Sequence, residues 1–230
     1  MIDHTLLKPE ATADDVGALC AEAEKLHVYA VCVSPTMVAR AALGLRGSQV
    51  KVAAVIGFPS GAHRIEVKAD EALRAAGDGA DEADMVINLG LALAGDWDGV
   101  RAEISAVRAV LVSGQILKVI IESAALSSAQ ITTACRAAEA GGADFVKSST
   151  GFHPAGGARP EDIRIMAAAV GGRLGVKAAG GIHDAATAMA LIDAGATRLG
   201  MSSTATVLAG IGRPTTQFSH TETEPSHAHR

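Results

Sequence analysis

The sequence predicts an α/β protein built as one (β/α)8 barrel, the TIM-barrel architecture. Eight short apolar segments alternate with alanine-rich segments of helical spacing over roughly 210 residues, the pattern of a parallel sheet wrapped by helices. No GxGxxG follows an early strand segment, which counts against the nucleotide-binding form of the rival doubly wound sheet. Glycine-rich turns follow the last strand segments, where barrels of this type often bind phosphate.

In chain order the strand candidates are Ile2–Leu7, Val28–Val33, Val50–Ile56, Ala83–Asn88, Ile116–Glu122, Asp144–Ser148, Leu174–Ala178 and Thr197–Ser202. Between them, Ala13–Leu26, Ile65–Ala76, Trp97–Val112, Ser128–Ala140, Pro160–Val170 and Asp184–Ala194 carry apolar residues at helical spacing. The connection from Val33 to Val50 is long enough for a further helix around Pro35–Leu45. Thr12 or Ala13, followed by Asp14 and Asp15, puts acids at a helix N-terminus, where the dipole favours them. Pro160-Glu161-Asp162 does the same with proline at the first helical position, and His183-Asp184 precedes another start. Gly77, Gly141 and Gly195 close helices. Residues 1–212 thus form the barrel. Residues 213–230 are polar, lack a hydrophobic period and are expected to be a disordered tail. His227 and His229 in that tail could pick up a metal, but two histidines on a loose segment are a weak signal.

The totals exclude several function classes. A hydrophobic content of 49% is far too high for a disordered chain. A net charge of −5 with no basic block gives nucleic acid nothing to bind. No apolar run reaches the roughly 20 residues of a membrane span, and MIDHTLLKPE lacks the basic start and apolar stretch of a signal peptide. Cys20, Cys32 and Cys135 are odd in number and widely spaced, with no disulfide or zinc pattern. A cytoplasmic location is expected.

The chemistry is written in strand parity. Alternate strand residues point to opposite faces, and the purely apolar faces should meet the helices. The faces bearing Asp84, Lys118, Glu122, Lys147 and Lys177 then point into the barrel. Lys147 and Lys177 stand on consecutive strands, about 4.8 Å apart, so their charges can interact. Burial and a neighbouring cation both lower a lysine pKa, which an amine nucleophile requires. Asp84 supplies a proton carrier. Lys147 sits in GGADFVKSSTG (residues 141–151), where Ser149-Thr150-Gly151 offers hydroxyls and flexible backbone to an oxyanion. Gly180-Gly181 and Gly200-Met201-Ser202-Ser203 add further donors at the ends of consecutive strands. The pattern points to an imine-forming lysine and a phosphorylated carbonyl substrate. The competing structural reading is an ion-paired core, with Asp84 on one lysine and Glu122 on another. A binding barrel without catalysis and a related Schiff-base barrel with another donor also remain open. A metal hydrolase built on His4, His63, His153 or His183 is disfavoured, because these residues lack paired ligand spacing.

Eight blocks carry a family resemblance: IDHTLLKPEAT (2–12), VCVSP (31–35), VIGFPSG (55–61), EADMVINLG (82–90), LKVIIES (117–123), GADFVKSSTGF (142–152), VKAAGGI (176–182) and LGMSS (199–203). In this order the chain resembles the deoxyribose-phosphate aldolase family of class I aldolases. The resemblance implies a (β/α)8 barrel. It also implies reversible cleavage of 2-deoxy-D-ribose 5-phosphate to acetaldehyde and D-glyceraldehyde 3-phosphate, in deoxyribose phosphate catabolism. No metal or organic cofactor is implied, since the lysine imine is the electron sink. Lys147 matches the Schiff-base lysine, Lys177 the lysine that lowers its pKa, and Asp84 the proton-relay aspartate. Thr150, Gly151, Gly180, Gly181, Gly200, Ser202 and Ser203 match phosphate-loop positions. Asp3 and Thr5 match residues near the sugar hydroxyls, and Cys32 a cysteine near the site that the chemistry does not require. Lys118 matches an interior lysine with a supporting electrostatic role, deeper than Lys147. A homo-oligomer, dimer or tetramer, is expected. Three departures stand out. His183 replaces the arginine common after GGI, which should make phosphate affinity weaker or more pH-dependent. The only tyrosine is Tyr29, so a C-terminal tyrosine that serves some members in proton transfer has no match. The usual helix before IDHT is missing, which would leave the barrel bottom less covered.

Overall fold

A computed structural model describes residues 1–211; the expected tail, with His227 and His229, lies outside the described residues. Eight parallel strands close into a barrel in sequence order, and the last pairs with the first. They are β1 (Ile2–Leu6), β2 (Ala30–Val33), β3 (Lys51–Ile56), β4 (Glu82–Val86), β5 (Ile116–Ile120), β6 (Phe145–Lys147), β7 (Gly175–Ala179) and β8 (Arg198–Met201). The helices among the described residues are α1 (Ala13–Lys25), α2 (Val38–Gly44), α3 (Ile65–Gly77), α4 (Leu89–Ala94), α5 (Trp97–Val110), α6 (Ser128–Ala140), α7 (Pro160–Val170), α8 (Ala185–Asp193) and α9 (Thr204–Ile211).

Every expected strand and helix forms, with ends shifted by at most a few residues. Two helices were not expected. α4 follows β4 directly, and Asn88, read as a strand end, is its N-cap, accepting from the Gly90 and Leu91 amides. α9 packs beside α8 at the end of the barrel. Both are short and nearly uniformly apolar, so neither shows a helical period in sequence. The expected caps hold at three starts. Thr12 and Asp15 form a reciprocal capping box at α1, Pro160 opens α7, and Asp184 caps α8 through the Thr187 amide. Helices close at the expected glycines: Gly77 is the last residue of α3 and Gly141 the C-cap of α6. Neither takes the left-handed turn. Gly79 and Gly142 do, at φ 107° and 89°, as Gly195 does at 112°.

The strands divide the core in two. Val31, Val33, Ala54, Ile56, Met85, Leu117, Val119, Val146, Val176 and Ala178 point outward and pack under the helices in one continuous apolar layer. A small apolar cluster of Cys32, Ala53 and Val55 lies inside the barrel, and Val86, Ile120 and Phe145 share that inward face. Between them the interior carries buried charges, as the parity of the middle strands predicts.

One buried ion pair lies outside the barrel. Lys68 of α3 donates to Glu103 of α5 at 2.7 Å and to the Val86 carbonyl at 2.8 Å. Glu103 also accepts from the Asn88 amide at 2.6 Å, so the pair anchors the turn after β4. Both side chains are almost fully shielded. Removing one partner would leave the other charge buried alone. Lys68→Met should therefore destabilise the chain by about 3–5 kcal/mol, and Lys68→Met with Glu103→Leu should recover part of that loss. Urea denaturation midpoints of the two variants check this.

Candidate active site

Among the described residues, seven charged side chains occupy the barrel interior, each placed by strand parity: Asp3 on β1, Glu82 and Asp84 on β4, Lys118 on β5, Lys147 on β6, Lys177 on β7 and Arg198 on β8. The register pairs them across neighbouring strands, and the tilt of barrel strands carries register partners to different depths. Lys147 pairs with Lys177, and Lys177 with Arg198. Lys118 pairs with Phe145, two residues before Lys147, and is wholly shielded where Lys147 is not, so it sits deeper, as expected.

Asp84 is the hub. Its Oδ1 accepts from Lys118 Nζ at 2.7 Å, and its Oδ2 accepts from Lys147 Nζ and Lys177 Nζ, both at 2.7 Å. Asp3 forms a second hub below it. Lys177 Nζ donates to Asp3 Oδ2, Arg198 Nη1 donates to Oδ1 at 2.8 Å, and Lys118 Nζ stands 3.6 Å away. Glu82 lies 2.5 Å from Lys118 Nζ and 3.5 Å from Arg198 Nη1. Neither of its oxygens accepts a well-aligned hydrogen bond, so charge alone compensates it.

Burial and charge pull in opposite directions here. Burial would raise Asp84, but Lys118, Lys147 and Lys177 outweigh it and hold the carboxyl well below the usual range. Asp3 is brought down to about 2: burial again opposes, and Lys177, Lys118 and Arg198 prevail. Lys177 is pushed far up, since Asp3 and Asp84 overcome its burial. Lys118 is also raised, chiefly by Asp84 against burial. Lys147 goes the other way. Its burial outweighs Asp84, and Lys177 adds to the lowering. One lysine of the three is thus biased toward a neutral amine, and it is the one that meets the cavity.

That cavity, of about 270 Å³, opens at the C-terminal end of the strands, the usual site of barrel chemistry. Thr5, Lys8, Lys147, Thr150, Phe152 and His183 are among its lining residues. Gly180 and Gly181 take φ 87° and 77°. A Cβ on Gly180 would lie 3.1 Å from the Cα atoms of Gly151 and Gly157, so the loops after β6 and β7 meet this closely only with glycine there. A Cβ on Gly200 would come within 2.9 Å of Lys177 Cε; the bare strand makes room for that lysine. Phe58 and Phe152 meet edge to face at 5.2 Å at the rim.

Several expected contacts are placed elsewhere. Asp3 was expected near the sugar hydroxyls, yet its carboxylate is fully buried and engaged by cations, with no face on the cavity. Thr5 does line it. Thr150 was expected to offer donors to an anion. Its amide and hydroxyl instead go to Glu122, the hydroxyl at 2.7 Å, and the Gly151 amide is taken by Ser149 Oγ at 2.8 Å. Glu122, expected on a lysine in the ion-paired alternative, lies beyond the end of β5 in a left-handed conformation (φ 53°) and meets no lysine. Gly180, Gly181, Gly200 and Ser202 line the cavity. Ser203 does not, but its hydroxyl lies 3.3 Å from His183 Nδ1. Cys32 is buried inside the barrel beneath the cavity, its thiol pushed up by burial. The part played by Glu82 and Arg198 was missed, although both share the parity of residues already read: Glu82 is two before Asp84, and Arg198 two before Gly200. Among the described residues no group of three His, Cys, Asp or Glu could hold a metal ion.

Comparison with known proteins agrees with this geometry. Residues 1–210 match the model of the DeoC/LacD family aldolases. The chain belongs to this aldolase family. A deoxyribose-phosphate aldolase of Kocuria rhizophila is 61% identical over 211 residues, 92% of this chain and 95% of that protein. One of Mycobacterium marinum is 59% identical over 217 residues, 93% of this chain and 94% of that protein. Among solved structures, the tetrameric deoxyribose phosphate aldolase of Aeropyrum pernix superposes with a TM-score of 0.85 at 33% identity, covering 91% of this chain and 88% of that one. The aldolase QR15 gives 0.84 at 37% identity, covering 91% and 93%. The chain is an enzyme, a lyase of the aldolase type.

The aldolase's interior carries a pH signature. Asp3 titrates near 2 when folded, below its ordinary 3.8. Its ionised form therefore contributes stability above pH 4 that is lost as pH falls toward 2. Asp3→Asn should flatten the pH dependence of unfolding free energy in that window by about 2 kcal/mol, read from urea titrations between pH 5 and pH 2.5.

Proposed function

We propose that this aldolase reversibly cleaves 2-deoxy-D-ribose 5-phosphate to D-glyceraldehyde 3-phosphate and acetaldehyde through an imine on Lys147. The observation that carries the reading is that Lys147 alone among the interior lysines lines the cavity and is biased toward the neutral amine. The amine attacks the C1 aldehyde of the open-chain sugar, and loss of water gives the protonated imine. A base takes the proton of the C3 hydroxyl. The C2–C3 bond then breaks, its electron pair flows into the imine as an enamine, and glyceraldehyde 3-phosphate leaves. Protonation at C2 and hydrolysis release acetaldehyde and restore the lysine.

Asp84 is the proton carrier in this reading. Its Oδ2 touches both Lys147 and Lys177, so a proton can pass between the amines across one carboxylate. Lys177 stays an ammonium under two carboxylates and supplies the charge that opposes protonation of Lys147. Lys118 supports Asp84 from below. The phosphate is assigned to the turns at Gly180-Gly181 and Gly200 to Ser203, with His183 beside them, because the donors of Thr150 and Gly151 are already used. No helix among the described residues is long and apolar enough to cross a membrane. The three cysteines are buried and free, which fits a reducing cytoplasm. The tetrameric Aeropyrum pernix relative supports a homo-oligomer.

Borohydride reduction with acetaldehyde, followed by peptide mass mapping, should place an ethyl adduct on Lys147. Lys147→Met should lose the adduct and about four orders of magnitude or more in turnover, while its thermal unfolding remains cooperative. An adduct on Lys177 or Lys118 would overturn the assignment of the nucleophile. His183→Ala should raise KM for the phosphorylated sugar roughly fivefold, about 1 kcal/mol, the net worth of one ordinary hydrogen bond. It should leave KM for unphosphorylated deoxyribose nearly unchanged.

A further inference from the structure

Four cationic side chains and three carboxylates share the barrel interior among the described residues: Lys118, Lys147, Lys177 and Arg198 against Asp3, Glu82 and Asp84. With every group ionised the interior holds one positive charge in excess, in a space where unbalanced charge is costly. Loss of one proton brings the sum to zero. Lys118 is held by Asp84 and Glu82, and Lys177 by Asp84 and Asp3. Arginine does not release its proton in proteins. Lys147 has Asp84 alone and opens to the cavity.

Arg198 is built firmly into the floor of the barrel. It donates to Asp3 Oδ1 at 2.8 Å and lies 3.5 Å from Glu82. Its guanidinium covers the Tyr29 ring at 3.7 Å and stands 5.3 Å from the Phe145 ring. Phe145 fits there because Gly175 has no side chain: a Cβ would stand 2.1 Å from the ring. Asp3 then joins Arg198 to Lys177, and Asp84 joins Lys177 to Lys147. We propose that Arg198 is a positioning residue for the reaction, a permanent charge on the barrel floor that puts the fully ionised interior one cation in excess and so favours the uncharged form of the Lys147 amine.

The inference rests on Lys147 being the imine-forming amine. The other titratable groups around that amine are accounted for. Asp3 comes from β1, Cys32 from β2, Glu82 and Asp84 from β4, Lys118 from β5 and Lys177 from β7. The Cys32 thiol is kept neutral by burial. Lys8 and His183 stand on the exposed rim, where solvent screens them. On the outer side of Arg198, the Met1 amino group is partly buried, and burial and Arg198 both lower its pKa.

The test is the rate of borohydride trapping of acetaldehyde on Lys147 as a function of pH, in the full chain. Without the Arg198 charge the interior balances with Lys147 protonated. Arg198→Met should therefore move the acid limb of the profile toward alkaline pH by about one unit. Arg198→Lys, which keeps the charge, should hold the limb near the parent position. Asp3→Asn removes a negative charge and should move it toward acid. A residue with only a structural role would lower stability or amplitude and leave the limb in place. An unmoved limb in folded Arg198→Met overturns the inference, as does a shift of the same sign in Arg198→Met and Asp3→Asn. If Arg198→Met does not fold, Asp3→Asn and Arg198→Lys decide: an acid shift with an unmoved limb supports the proposal, and any other pair rejects it. Absence of a Lys147 adduct in the parent would remove the imine reading and this inference together. A Lys147 adduct whose pH dependence ignores Arg198 would remove the inference alone.

Discussion

The interior of this barrel depends on one constraint: buried charges must be compensated by other buried charges, because water cannot reach them. Taking an ammonium or carboxylate out of water costs several kcal/mol even after relaxation. Asp84 meets that constraint for three lysines at once, and Asp3 links the lattice to the floor through Arg198. A lattice of this kind contributes little net stability. What it does is distribute proton affinity unevenly. The lysines between two carboxylates are raised in proton affinity, and the lysine with one carboxylate and an open cavity is lowered.

The outer layer supplies the stability that the interior does not. Outward-facing Val, Ile, Leu, Met and Ala pack continuously beneath the helices, where apolar burial is worth roughly 25 cal/mol per Å². The division follows from the strand period of two: each strand gives one face to the helices and the other to the interior. Small residues then set what the interior can hold. Gly175 leaves space for Phe145, and Gly200 leaves space for Lys177. The alanine and glycine content of the chain is thus tied to its chemistry as well as to close helix packing.

Parity placed Asp84, Lys118, Lys147 and Lys177 correctly because side-chain alternation is a local property that neighbouring residues cannot override. Glu82 and Arg198 carried the same signal at the same spacing. The roles of Asp3, Thr150 and Glu122 were not legible. Asp3 looks in sequence like any strand aspartate, and only its neighbours make it an interior ion. Thr150 and Glu122 are 28 residues apart, and the left-handed turn that aims the Glu122 carboxylate at Thr150 has no glycine to announce it. α4 and α9 were missed because short apolar runs carry no helical period.

The sequence by itself determined the order of strands and helices, the helix starts at Thr12, Pro160 and Asp184, and the face of each strand on which a charge lies. These depend on residues within a few positions of one another. Barrel closure decided the rest. It brought β8 beside β1, so that Arg198 meets Asp3 across 195 residues of chain. It also set three amines on one carboxylate of β4. Proton affinity in such a cluster depends on distances of a few ångströms between groups far apart in sequence, and only the folded chain fixes those distances.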